Sequence, residues 1–113
     1  MKSEHKAVMI IDDSALSRRF LISVLQEDFD ILEFEGGHDA LGYLRNAADD
    51  ASLRVPDLII LDLMMPELDG YETFEAIRGL DVHIPILFIT ASPALAAYTS
   101  MSGQICSIVS LSL

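Results

Sequence analysis

Short runs that are apolar at every position alternate with stretches in which apolar residues recur every three or four positions. Ala7–Ile11 (AVMII) predicts a buried strand that stops at Asp12-Asp13. From Ser14 to Glu27, the residues Leu16, Phe20, Leu21, Val24 and Leu25 fall at helical spacing, with Asp13 or Ser14 as the N-cap. Ile31–Phe34 predicts a second strand and Gly36-Gly37 a turn. Ala40, Leu41 and Leu44 mark a second helix that fades near Ala48, and Asp49 to Pro56 reads as a loop. Asp57–Leu61 predicts the third strand, and Tyr71–Arg78 a third helix with Phe74 and Ile77 on one face. Ile84–Ile89 predicts a fourth strand with Pro85 at its start, where a missing N–H costs least. Ser92-Pro93 joins an N-cap to a first-turn proline and opens a fourth helix that Gly103 closes. Ile105–Leu113 (ICSIVSLSL) predicts a fifth strand.

Strands alternating with helices imply parallel pairing through right-handed crossovers. The expected fold is α/β, an open doubly wound parallel sheet in a single domain over residues 1–113. No repeat or low-complexity segment interrupts it. No residues remain for a closing fifth helix, so one face of the sheet is expected to be under-covered near the first helix. Such an apolar patch favours self-association.

Composition narrows the partners. Acidic residues outnumber basic ones 18 to 7, a net charge of −11, which argues against a nucleic-acid surface or an anionic membrane and suits cations or basic protein surfaces. Ala7–Ile11 is too short for a signal-peptide core, and no apolar stretch reaches membrane-spanning length. Cys106 stands alone, which excludes an intrachain disulfide and fits a reducing cytoplasm; its simplest reading is a small apolar strand residue.

The candidate chemistry lies at the strand ends. Asp62 closes the apolar run LIIL, although a buried charge is costly unless something pairs with it. In open parallel sheets, ligands bind beyond the carboxyl ends of the strands. The first strand ends in Asp12-Asp13, the third in Asp62 and the fourth in Thr90. If the first and third strands are neighbours, three carboxylates converge and repel one another. A hard divalent cation relieves that repulsion, and Mg2+ takes one or two carboxylates with waters completing its octahedron. The Thr90 hydroxyl could then bond a phosphoryl oxygen. Taken singly, each member has a plainer reading: Asp13 as an N-cap, Asp69-Gly70 as a turn, Met9, Met64 and Met65 as packing residues. His5, His38 and His83 read as solvated, and Arg18 and Arg19 most simply as the exposed face of the first helix, although a basic pair near the site could also meet a partner. The combination carries the signal. There is no glycine-rich turn in IDDSALSR for a dinucleotide, no P-loop, no Cys/His metal spacing and no Ser-His-Asp set. A small Mg2+-dependent phosphatase with an Asp nucleophile remains an alternative, although such enzymes usually carry a cap and more basic residues.

Over residues 6–103 the chain resembles the receiver domain of two-component response regulators, a flavodoxin-like fold. The matching pieces are Asp12-Asp13, LDLMMPELDG with Asp62 and Gly70, and PILFITA with Pro85 and Thr90, in that order and spacing. The resemblance implies that Asp62 is the phosphoacceptor, charged from a phosphohistidine on a sensor histidine kinase or a phosphotransfer protein. It implies Asp13 as a direct Mg2+ ligand, Asp12 as a ligand through water, and the main-chain carbonyl of Met64 as another. Pro66 and Gly70 would shape the loop, and Thr90 would be the switch hydroxyl. Residues 104–113 depart from the family, which ends its fifth strand with a Lys-Pro pair. Counting from Gly103 puts the lysine slot at Ser110, counting from Thr90 puts it nearer Ser112, and no lysine follows Lys6. The expectation is a cytoplasmic phosphoacceptor, not an enzyme, that reaches a downstream protein target by direct contact. Neither nucleic acid nor membrane is an expected partner. A degenerate receiver that keeps the fold without phosphotransfer is the alternative. A homodimer or domain swap is the physical remedy for the missing cover.

Overall fold

Five parallel strands lie side by side in the order β2-β1-β3-β4-β5. The computed structural model describes residues 5–62, 70–80, 83–90 and 106–110. In chain order the elements are β1 (Lys6–Ile11), α1 (Ala15–Leu25), β2 (Phe29–Phe34), α2 (Gly37–Asp49), β3 (Leu58–Asp62), α3 (Gly70–Arg78), β4 (Ile86–Thr90) and β5 (Cys106–Ser110). The reversal of strand order between β1 and β3 creates the crevice at which open α/β sheets bind ligands. The fourth helix expected from Ser92 to Gly103 lies outside the described residues.

Alternation along the strands splits the core in two. Met9, Ile11, Ile59, Leu61, Ile86 and Phe88 point to one face, where Ala40, Leu41 and Leu44 of α2 and Phe74 and Ile77 of α3 cover them. Phe74 and Phe88 meet there with ring centroids 5.2 Å apart in a tilted arrangement. Val8, Ile10, Ile60 and Ile89 point to the other face, against partly buried Leu21, Ile22 and Leu25 of α1. Strands covered on both faces account for the uninterrupted apolar runs.

Several boundaries differ from those the sequence suggests. Asp57 is not a strand residue: its carboxylate accepts from the Ala7 amide at 2.8 Å and its own amide donates to the Ala7 carbonyl at 2.7 Å. β2 begins earlier than its apolar run, because Phe29 and Asp30 still pair with Lys6 and Ala7. β4 begins later, at Ile86; Pro85 has no N–H for a ladder, but its carbonyl accepts from Ile59 at 2.9 Å. The larger correction concerns α1. Leu16, Phe20 and Val24 share its helical apolar spacing, yet they are 75%, 57% and 58% exposed. The inward face is made by Leu21, Ile22 and Leu25 with Arg18, which is not on the exposed face as its charge suggests.

Candidate functional site

Strand register brings the carboxylates together. β1 and β3 pair as Ile10 with Ile60 and Ile11 with Leu61, and one step further along the same register stand Asp12 and Asp62. Both continue the parity of Val8, Ile10 and Ile60, so both leave the sheet on the α1 side. Asp13 follows at the start of the turn into α1. One carboxylate oxygen from each of Asp12, Asp13 and Asp62 lies within 4.8 Å of the other two. Asp12 is 1% exposed, Asp62 is half-buried and Asp13 is exposed.

The turn holds Asp12 at several points. Its amide donates to the Phe34 carbonyl at 3.1 Å, and its Oδ1 accepts from the Ser14 amide at 2.9 Å. Its carbonyl accepts from Arg18 Nη1 at 2.7 Å. Ser14, not Asp13, is the N-cap of α1: its hydroxyl accepts from the Ser17 amide at 3.2 Å. Asp13 is thereby not engaged as the helix cap. Burial pushes the Asp12 carboxyl above the ordinary aspartate range, and the charge of Asp13 adds to the effect. The Ser14 amide, a hydrogen bond with Asp62 and the Arg18 charge pull the other way without overcoming it.

The donor set suits Mg2+. Its ligand oxygens stand about 2.9 Å apart when adjacent and about 4.2 Å apart when opposite, given bonds of 2.0–2.1 Å. The Asp13 and Asp62 oxygens, within 4.8 Å of each other, need only a small closure to reach those separations, and the Asp12 oxygen, within 4.8 Å of both, is in reach of a bridging water. Thr90 ends β4 one step past Ile89, which pairs with Asp62, and Thr90 itself pairs with Ser110 of β5. Ser112, the other count for the family's lysine slot, lies outside the described residues. Met64 and Pro66, expected in the loop after Asp62, lie outside the described residues; Gly70 opens α3. His38 and His83 are exposed. Arg18 is the residue that sequence reasoning missed at this site. Its place one helical turn past Ser14, in phase with Leu21, Ile22 and Leu25, was the available signal.

Comparison with known proteins decides the family. The model of the response regulator receiver domain matches residues 8–102. The chain belongs to the response regulator receiver family. A receiver is the module of two-component signalling that is phosphorylated on an aspartate. Among curated relatives, the alkaline phosphatase synthesis transcriptional regulatory protein SphR of Synechococcus elongatus is 32% identical over 87 residues, 74% of this receiver and 34% of that protein. Histidine kinase P4 of Formosa agariphila is 33% identical over 97 residues, 83% of this receiver but 6% of that protein. The receiver thus spans about a third or less of the length of the curated relatives it matches. Among solved structures, the phosphorylated cyanobacterial phytochrome response regulator RcpA superposes with a TM-score of 0.76 at 26% identity, covering 93% of this receiver and 80% of that chain. The Mg2+ complex of the receiver domain of histidine kinase CKI1 from Arabidopsis thaliana gives 0.73 at 25% identity, covering 93% and 82%. Among the described residues of the receiver, no helix is long and apolar enough to cross a membrane.

Proposed function

We propose that residues 1–113 form one phosphoacceptor domain of a His-Asp phosphorelay and that Asp62 receives the phosphoryl group. The observation that supports this most is the register of β1 against β3, which sets Asp62 beside Asp12 and Asp13 at the carboxyl edge of the sheet. A carboxylate oxygen of Asp62 bonds to phosphorus as the P–N bond to the donor imidazole breaks. Such a transfer asks little covalent help of the protein beyond positioning and charge neutralisation. In this reading Asp13, Asp62 and the Met64 carbonyl would hold Mg2+ directly and Asp12 through a water, and the ion would offset charge on the phosphoryl oxygens. The resulting acyl phosphate presents strong acceptor oxygens. Thr90 donates to one of them, and that contact biases a pre-existing two-state equilibrium. The phosphoryl donor is a sensor histidine kinase or a phosphotransfer protein, and the output is contact with a downstream protein. Self-association through Leu16, Phe20 and Val24 extends this reading; a monomeric solution mass across concentrations would remove it.

The test is incubation with acetyl phosphate and Mg2+, followed by intact mass. Wild type is expected to gain one acid-stable, base-labile phosphoryl group, and Asp62→Asn to gain none. The second reading, a degenerate receiver used as an interaction module, is favoured by the sequence at the two counts for the family's lysine slot, Ser110 and Ser112, neither of which is lysine. Absence of any label on wild type would select it. Continuous phosphate release with turnover would select a phosphatase instead.

A further inference from the structure

Arg18 is only 12% exposed, and its guanidinium spans two segments of the site. Nη1 donates to the main-chain carbonyl of Asp12 at 2.7 Å, while Nε donates to Glu33 Oε2 at 2.8 Å. Nη2 stands 4.0 Å from Glu35 Oε2. Glu33 belongs to β2 and Glu35 follows it, so one side chain ties the β1–α1 turn to the carboxyl end of the neighbouring strand. The carbonyl it grips belongs to the peptide that joins Asp12 to Asp13. With the Asp12 amide bound to Phe34 and the Asp12 carboxylate bound to Ser14, that peptide is fixed on each side.

We propose that Arg18 is a positioning residue of the divalent-cation site, holding the Asp12–Asp13 peptide so that both carboxylates keep ligating separation from Asp62. The proposal rests on the reading of these three aspartates as Mg2+ ligands. A small octahedral cation tolerates little error in ligand placement, and groups that orient ligands affect affinity without touching the metal. Arg18 acts at a cost, because its positive charge opposes a cation nearby. The charge and the geometry therefore push Mg2+ affinity in opposite directions, and a variant that keeps the charge isolates the geometry. Lysine is that variant: an ammonium on a flexible stem does not reproduce two directed bonds from a planar fork.

Mg2+ affinity is measured by calorimetry on the full chain, with circular dichroism and metal-free thermal melting as fold controls. Arg18→Lys is expected to raise the Mg2+ Kd about tenfold with the fold retained. A role confined to stability would instead lower the metal-free Tm and leave the Kd unchanged, which overturns the proposal. Should Arg18→Lys fail to fold, Glu33→Ala and Glu35→Ala carry the test, since both positions are surface-exposed. Each removes one negative charge, but only Glu33 holds Nε, and alanine leaves that N–H no acceptor there. A larger rise in Kd for Glu33→Ala supports positioning, and equal rises overturn it. If wild type itself shows no saturable Mg2+ binding, the metal-site reading falls; if wild type binds and Arg18→Lys binds equally, the Arg18 proposal alone falls.

Discussion

The two faces of the sheet start from the same alternating strands and are finished differently. On one face, α2 and α3 lay down Ala40, Leu41, Leu44, Phe74 and Ile77, all buried. On the other, α1 contributes no buried residue at all; its inward side chains Leu21, Ile22 and Leu25 are half-covered, and Leu16, Phe20 and Val24 are exposed. The candidate site belongs to this side, because Asp12 and Asp62 continue the strand parity that points toward α1. One face carries the buried helical packing and the other the candidate site, and the two share the same strands. Functional elements are commonly drawn from the less stable part of a structure.

That division makes quantitative claims. Phe74→Ala, on the packed face, is expected to cost about 3–5 kcal/mol in denaturant unfolding. Comparable costs for Phe74→Ala and Phe20→Ala would erase the contrast. Next in size, Leu44→Ala is expected to cost about 2–5 kcal/mol, and half-covered Leu21→Ala only about 1 kcal/mol; a reversed order would mean that α1 anchors the fold. A pH effect follows from the buried Asp12. Its folded pKa lies above the unfolded value of about 3.9, so between those two values the folded state binds more protons and stability falls as pH rises. In EDTA, wild type should lose stability across that window, and Asp12→Asn should flatten the profile and be more stable than wild type at neutral pH. A wild-type profile that rises through the window would contradict the sign. The smallest effect is expected at Phe20→Ala, within about 0.5 kcal/mol of wild type in the monomer.

The sequence made the strands legible because burial on both faces leaves no polar position inside AVMII or LIIL. It made the acidic cluster legible because Asp12-Asp13 and Asp62 end apolar runs where a sheet of this kind opens. The orientation of α1 was not legible from apolarity alone. Leu16, Phe20 and Val24 form as regular a series as Leu21 and Leu25, and hydrophobicity does not say which series meets the sheet. Arg18 escaped for the complementary reason. A charged residue defaults to solvent unless its partners are known, and here those partners, the Asp12 carbonyl and Glu33, are distant in sequence or belong to the backbone. Asp57 reads as a strand residue because its carboxylate serves a strand, by accepting from Ala7.

That small bracket at Ala7 reaches further than its size suggests. Asp57 grips Ala7 by amide and carboxylate at the amino edge of the sheet, and the same number of residues separates Ala7 from Asp12 as separates Asp57 from Asp62. It works like the zero mark on a pair of rulers. A slip of one residue at this end would carry through the whole apolar stretch and turn the Asp62 side chain to the opposite side of the sheet, away from Asp12. The alignment of the acidic edge is thus indexed at its far end, by an aspartate five residues away from the cluster it aligns.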